Sequence, residues 1–376
     1  MSELIFLLDM SRNSTFLIGG VGLAIALHTA PALAQVDSVR ASTLPGRQVA
    51  EKAYNAGLAS FNARNYSAAL TSFDQALAAK PDFAAAYANR AATRLALKEY
   101  PAAVTDYDQA LKLEPSAYAA YFGRGQAREA TGQAAEAEAD YAAALKANPA
   151  YAPAWYNRGV LRFEKGDYQA AHDDFSGAVK ADSAYAYAYH DRASASLRLG
   201  NYAAAVPDYS RALALQPTLL PALLNRAAAE RRAGMLPDAL RDYDAYLAQK
   251  ADNALAFSNR GTARFANKDY AGAIADFSQA IALDAKYAYA WNNRAAAELK
   301  LEQYAKANAD ATEALRLNPK YAEAYLNRGH AREMLRQADE ACQDWHQAAA
   351  LGLAAGNSYA AAAGCVGPAA EALDDK

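Results

Sequence analysis

The chain has 376 residues and a net charge of -3. That balance argues against nucleic acid as a partner, because a phosphate backbone selects a strongly basic face. Hydrophobic residues make up 53% while mean hydropathy is only -0.22, a gap explained by alanine, which counts as apolar but buries little and is the best helix former. With 20 Gly and 13 Pro, collagen-like and disordered classes drop out, leaving a helical, soluble chain packed through small side chains.

At the N-terminus Arg12 precedes an apolar run at residues 16–27, and Pro31, Ala32, Leu33, Ala34 and Gln35 follow. A basic start, a short apolar stretch and an A-x-A site are the layout of a secretory signal. The run is too short to span a bilayer, which needs about 20 apolar residues. Glu3 and Asp9 are unusual ahead of such a stretch, and both disappear if Met10 rather than Met1 is the start. The expectation is a signal peptide at 1–34, cleaved near Ala34, a periplasmic or secreted mature protein, and a flexible lead at 35–49. An uncleaved N-terminal membrane anchor is the alternative.

From residue 50 the sequence repeats itself. Asn-Arg-Gly or Asn-Arg-Ala recurs at Asn89, Asn157, Asn225, Asn259, Asn293 and Asn327, spaced by 34 residues or twice that. Nine units fit without insertion or deletion: 50–83, 84–117, 118–151, 152–185, 186–219, 220–253, 254–287, 288–321 and 322–355. Position 8 is always Gly or Ala, and position 20 is Ala from Ala69 to Ala341. Position 24 is aromatic (Phe73, Tyr107, Tyr141, Phe175, Tyr209, Tyr243, Phe277, Trp345) except at Ala311. Position 27 is Ala except at Tyr246, and position 32 is Pro at Pro81, Pro115, Pro149, Pro217 and Pro319. Each unit reads as two helices whose backbones approach through the small residues, with the ring filling the gap beside them. Proline at 32 ends the second helix, since it lacks the N–H and restricts its neighbour.

These positions resemble the tetratricopeptide repeat over residues 50–355. The resemblance implies an all-α fold, a right-handed α-α superhelical solenoid of nine 34-residue helix-turn-helix repeats. Position 11, usually Tyr in that family, is Arg at Arg94, Arg128, Arg162, Arg264 and Arg332. Pro207 falls inside a second helix and is expected to kink or shorten it, at up to about 3 kcal/mol if fully interior. Tyr359 sits where position 4 of a tenth unit would be, so residues 356–370 are expected to form a capping helix, with a polar tail at 371–376. Cys342 lies on the surface such a cap would cover, and a disulfide to Cys365 would pin it there. His330 and His346 near these thiols match no zinc spacing.

In the repeat family, positions 2, 5, 6, 9, 12 and 34 face the inner groove. Position 6 here is Asn at Asn55, Asn89, Asn157, Asn225, Asn259, Asn293 and Asn327, interrupted by Gly123 and Asp191. Asparagine is a mediocre helix former, so its recurrence needs a reason. One reason is a ladder of carboxamides gripping an extended polypeptide backbone, similar to that of the superhelical domain of O-linked N-acetylglucosamine transferases. The other is that each amide bonds its own scaffold. Around the row, position 5 varies (Tyr54, Phe122, Tyr156, His190, Leu224), and Tyr187 and Tyr289 stand at position 2, as side-chain selectivity on a fixed scaffold would require.

Arginine at position 7 and aspartate at position 23 accompany each other in repeats 2–9: Arg90 with Asp106, Arg124 with Asp140, Arg158 with Asp174, Arg192 with Asp208, Arg226 with Asp242, Arg260 with Asp276, Arg294 with Asp310 and Arg328 with Asp344. Repeat 1 has neither, carrying Ala56 and Ser72. Joint presence and joint absence point to interhelical ion pairs rather than an anion-binding stripe. No phosphate loop, HExxH or GxSxG is present, so no enzymatic activity, cofactor or metal is expected. The reading is a non-catalytic scaffold that binds an extended peptide or helix of a partner protein, similar to assembly factors for envelope or secretion machinery. The alternative is an organising subunit of an envelope enzyme complex that binds through its outer surface.

Overall fold

The structure is a computed structural model that describes residues 45–365. The signal segment, most of the lead and the tail lie outside those residues. The described residues divide after Pro217 into two compact units. The N-terminal unit holds α1 (Pro45–Asn62), α2 (Tyr66–Ala79), α3 (Ala84–Ala96), α4 (Tyr100–Leu113), α5 (Tyr118–Ala130), α6 (Ala134–Ala147), α7 (Ala152–Lys165), α8 (Tyr168–Ala181), α9 (Ala186–Arg198) and α10 (Tyr202–Leu215). The C-terminal unit holds α11 (Leu220–Arg232), α12 (Leu236–Leu247), α13 (Ala254–Ala266), α14 (Tyr270–Leu283), α15 (Ala288–Lys300), α16 (Tyr304–Leu317), α17 (Ala322–Met334), α18 (Ala338–Ala350) and α19 (Ala355–Ala362). Among the described residues every regular element is a helix, and none is long and apolar enough to cross a membrane.

Within each unit consecutive helices alternate as first and second members of the 34-residue repeats. The second helices start at position 17, and those of repeats 2, 3, 5 and 8 end one residue before an extended cap that leads into the proline. The lead is shorter than expected, because α1 already begins at Pro45. Proline suits a helix start, where its missing donor costs nothing.

Packing at positions 8 and 24 explains the invariance there. A methyl added at Gly125 would stand 2.7 Å from Tyr141 Cε1, and one at Gly159 would stand 2.8 Å from Phe175 Cε1. The rings therefore lie directly on the facing helix backbone, fully buried. Truncating such a ring to alanine costs about 3–5 kcal/mol. Repeat 8 has no ring at this place, and its core closes instead through Ala295, Leu299, Ala307, Ala311 and Ala331.

Pro207 does not shorten its helix. The second helix of repeat 5 spans the same 14 residues as those of repeats 2–4. The proline lies on the exposed face, as does Ala203, whose carbonyl loses its helical donor and is left to water. Repeat 6 departs more: α12 has 12 residues, and Tyr246 replaces the usual Ala near its end.

One regularity was invisible in composition. Position 15, in the turn between the two helices, has positive φ in all nine repeats: at Gly132, Gly166, Gly200 and Gly234, but also at Arg64, Lys98, Lys268, Glu302 and Arg336. The turn requires a left-handed residue, and five repeats meet that need without glycine.

The cap α19 closes the C-terminal unit. Cys365, just beyond it, is bonded to Cys342 on α18, with Cα atoms 5.6 Å apart. Leu326, Ala341, Trp345, Ala348 and Ala360 form the core beneath, with Tyr325 and Tyr359 packed on it. Gly356 permits this approach, since a Cβ there would stand 2.3 Å from the Trp345 carbonyl oxygen.

Candidate functional site

The expected groove residues fall into two classes once their surroundings are seen. In the N-terminal unit, Asn55 is exposed and Asn157 half-buried, whereas Asn89 is buried. Asn89 Nδ2 donates to the Tyr54 hydroxyl and to the Ala85 carbonyl, both at 2.9 Å. In the C-terminal unit Asn225, Asn259, Asn293 and Asn327 are all buried, the last two with no exposed surface (0%). Five of the seven amides thus lie below the surface that a ligand would touch.

At three junctions position 5 of one repeat bonds position 6 of the next, 35 residues later: Tyr54 with Asn89, Tyr156 with Asp191, and Asn292 with Asn327. The Tyr156 hydroxyl donates to Asp191 Oδ2 at 2.7 Å, and Asp191 Oδ1 lies 2.7 Å from His190 Nδ1. His190 is fully buried against the Tyr209 ring, so it belongs to the inter-repeat seam and not to an open face. Asn327 donates to Asn292 Oδ1 at 2.9 Å, while Asn292 donates more weakly to Asn293 Oδ1 at 3.4 Å. Asn292 was not among the expected site residues. The signal was present: repeat 2 has Ala88 at position 5 and repeat 3 has Gly123 at position 6, a joint absence. At Gly123 the Tyr107 hydroxyl occupies the vacated space, 2.2 Å from where a Cβ would sit.

What stays accessible is aromatic. In the N-terminal unit Tyr118 packs on Tyr151 at 5.0 Å, and Tyr151 meets Phe122 at 5.1 Å. Tyr156 packs on Tyr185 at 4.9 Å, and the half-buried Tyr187 accepts a hydrogen bond from Gln216 at 3.4 Å. In the C-terminal unit the half-buried Tyr287 and Tyr289 meet at 6.0 Å, and Tyr289 rests on the buried Tyr321 at 5.2 Å. Burial pushes the Tyr151 and Tyr287 phenols up to about 12, so both keep their protons and can donate. Asn157 Nδ2 reaches the Tyr141 hydroxyl only at 3.5 Å, and that hydroxyl donates to Glu129 at 2.5 Å. Asn157 therefore retains capacity for a ligand. Position 34 was expected to face the groove, but Tyr151, Tyr185, Tyr287 and Tyr321 had not been singled out there.

The arginine row is committed to the scaffold. In each of repeats 2–9 the position-7 arginine donates through Nε and Nη2 to both oxygens of its aspartate, with Nη2–Oδ1 distances of 2.5–2.9 Å. Where position 11 is arginine, its Nη1 reaches the same aspartate at 2.8–3.0 Å. That accounts for the departure from tyrosine. Three position-7 arginines also reach back to the preceding repeat, Arg90 to Asp74, Arg124 to Asp108 and Arg260 to Asp244, at 2.6–2.7 Å. Seven of them lie over the ring three residues earlier, 4.9–5.5 Å from its centroid. With both oxygens of an aspartate held by Nε and Nη2, each of these guanidiniums already has its counter-ion within the scaffold. Among the described residues no cluster of His, Cys, Asp or Glu is arranged to hold a metal ion.

Comparison with known proteins agrees with this architecture. The family model described as tetratricopeptide repeat matches residues 54–107, 93–153, 125–186, 156–219, 190–254 and 224–288, and a second of that description matches 311–343. No curated protein matches the chain. Among solved structures it is similar to the C-terminal part of a TPR repeat-containing protein from Cytophaga hutchinsonii, at 20% identity over 64% of this chain and 98% of that one, with a TM-score of 0.53. It also matches a tetratricopeptide repeat protein from Parabacteroides merdae, at 18% identity over 65% of this chain and 97% of that one, with a TM-score of 0.45. Yeast Tom70 matches at 16% identity over 84% and 96%, with a TM-score of 0.42.

Proposed function

Because the chain belongs to the tetratricopeptide-repeat family, we propose that it binds an extended peptide or a helix of a partner protein on the inner faces of its repeats. As a protein of this family it is a protein–protein interaction scaffold; the face used and the kind of partner are our reading. The observation that carries it is the pair of partly exposed tyrosine clusters, one in each unit, set on helices whose own polar groups are tied down. Rigid rings offer large contact area at low entropic cost, and their hydroxyls can bond a peptide backbone. Asn157 and Asn55 would add carboxamides to that surface, while the buried asparagines would support it from below.

The setting we propose is the bacterial envelope, after export through the N-terminal signal. Support comes from the layout of residues 1–34 and from the Cys342–Cys365 disulfide, a bond that persists in oxidising compartments. Immobilised protein exposed to envelope extract is the test. A variant with Asn157→Ala, Tyr187→Ala and Tyr289→Ala should lose its partner while melting like the parent. Retention of every partner would refute the inner-face reading and transfer binding to the outer surface, as for a subunit that organises an enzyme complex.

A further inference from the structure

Three of the eight repeats with an ion pair lack arginine at position 11; repeat 5 has the neutral Ser196, and two reverse the charge. Five repeats place arginine at position 11, where it gives the buried aspartate a second cation. Repeats 6 and 8 place glutamate there instead, Glu230 and Glu298, twelve residues ahead of Asp242 and Asp310. A carboxylate thus stands where the architecture elsewhere puts a guanidinium. Both glutamates are buried, at 5% and 4% exposure, and Oε2 of each has no hydrogen-bond partner.

The charged neighbours cannot neutralise two anions at each place. Arg226, on the same helix as Glu230, is 3.9 Å from its Oε1 but commits its Nε to Asp242 at 2.6 Å. From α12, Asp242 and Asp238 oppose ionisation of Glu230 and Arg241 favours it. Around Glu298, Arg294 on its own helix is spent on Asp310 at 2.5 Å, and α16 contributes Asp310 and Lys306. The flanking α14 offers the neutral Ser278 hydroxyl, bonded to Arg294, and α17 the apolar Ala331. Arg241 is paired with Asp238 and Lys306 donates to Gln303, so the guanidinium on the glutamate's own helix is left to serve two carboxyl groups, and burial penalises the second charge.

We propose that Glu230 and Glu298 are buried proton-binding sites, each holding one proton in the folded chain so that a neutral acid faces the aspartate where other repeats place arginine. Burial and the neighbouring aspartates push both groups up to about 7 from an ordinary value of 4.5. The Asp310 carboxylate on α16 adds to the effect of burial at Glu298, since a second negative charge nearby disfavours ionisation. The folded chain holds these protons more tightly than the unfolded chain. Their contribution is therefore complete below about 4.5 and is lost as pH rises through about 7. Repeat 8 feels the loss most, because Ala311 stands in place of its ring and Asn293 Nδ2 is already buried without a partner. Mild acid consolidates this stretch of the C-terminal unit, and mild alkali loosens it.

The test uses the full chain and three variants: Glu298→Gln, Glu230→Gln with Glu298→Gln, and Glu298→Arg. Hydrogen exchange over α11–α12 and α15–α16, corrected for intrinsic rate, is followed between pH 5.5 and 8.5. In the parent, the opening constant of α15–α16 should rise about ten-fold or more across that range. Below about 7 the closed form holds one proton more than the opened form, so each step of about one in pH favours opening by about ten-fold. Glutamine, which stays neutral, and arginine, which restores the arrangement of the other repeats, should both flatten that rise. Infrared difference spectra of the parent near pH 6 supply a readout that needs no variant, a protonated-carboxyl band that disappears by pH 8.5. A parent with no pH dependence at α15–α16, variants that keep the parent's slope, or a missing carboxyl band would each overturn the proposal.

Discussion

Replacing Asp140 by alanine separates structural ion pairs from ornamental ones. Asp140 is 4% exposed and accepts from Arg124 Nε and Nη2 and from Arg128 Nη1, at 2.6–3.2 Å. Truncation leaves Arg128 without this acceptor and Arg124 with only Asp108, which is exposed. Stranding one side of a buried pair costs about 3–5 kcal/mol, and the partial access of both arginines to water places this case near 3. The matched control is Asp208→Ala. Asp208 is 16% exposed and is bonded by Arg192, without a second arginine at position 11, where Ser196 stands. Its loss should cost about 1 kcal/mol. At roughly 2–4 °C per kcal/mol for a cooperative unit of this size, circular dichroism should show Asp140→Ala melting roughly 6–12 °C below the parent and Asp208→Ala roughly 2–4 °C below. Neither substitution should alter partner affinity. Equal shifts for the two aspartates would refute the link between burial, donor number and stability.

Three further outcomes follow from local geometry. Lys268→Gly, which relieves a side chain at φ 64°, should stabilise by up to about 1 kcal/mol in urea denaturation, whereas Gly234→Ala at φ 79° should destabilise by about as much. His330 lies between the Trp345 and Tyr359 rings, at 5.8 and 4.2 Å, and burial lowers it to about 4 from 6.5. The unfolded cap therefore binds the proton first, stability falls as pH drops from about 6.5 towards 4, and Trp345 fluorescence should report the cap lifting over that interval, but not in His330→Phe. Reducing the Cys342–Cys365 bond should cost about 3 kcal/mol through the freed loop, seen as faster exchange in α19 with little change in the N-terminal unit.

Much of this arrangement is legible in the letters because the repeat acts as its own control. Arg90 and Asp106 could be paired on paper since Ala56 and Ser72 are missing together in repeat 1. The ring at 24 against the small residue at 8 is legible for the same reason. The asparagine row resisted that treatment. An amide that faces a peptide and one that faces the next repeat leave the same mark at position 6, and only the 35-residue offset, with Ala88 and Gly123 as its gap, separates them. Position 15 escaped because a left-handed turn accepts glycine, lysine, arginine or glutamate at modest cost, so no single letter marks it. Pro207 lies inside its helix as expected, but that the helix keeps its full 14 residues was not legible, because it is a property of the packed helix.

The distribution of commitments decides where recognition can arise. Every position-7 arginine is consumed by its aspartate, and Arg90, Arg124 and Arg260 additionally clamp the preceding repeat. Positions 5 and 6 hold neighbouring repeats together at Tyr54 with Asn89 and at Asn292 with Asn327. A side chain engaged in the stack cannot also read a ligand without loosening the stack, so these rows are poor material for specificity. Position 2 carries less of that burden: it varies from Glu51 and Pro153 to Tyr187 and Tyr289, all only half-buried. Substitution there changes the surface offered to a partner at small cost to the fold. Position 34 is shared with the core, where Tyr321 is 3% exposed and Tyr151 packs on the cluster around Tyr141. A protein built this way keeps its stability in the repeated letters and its selectivity in the irregular ones.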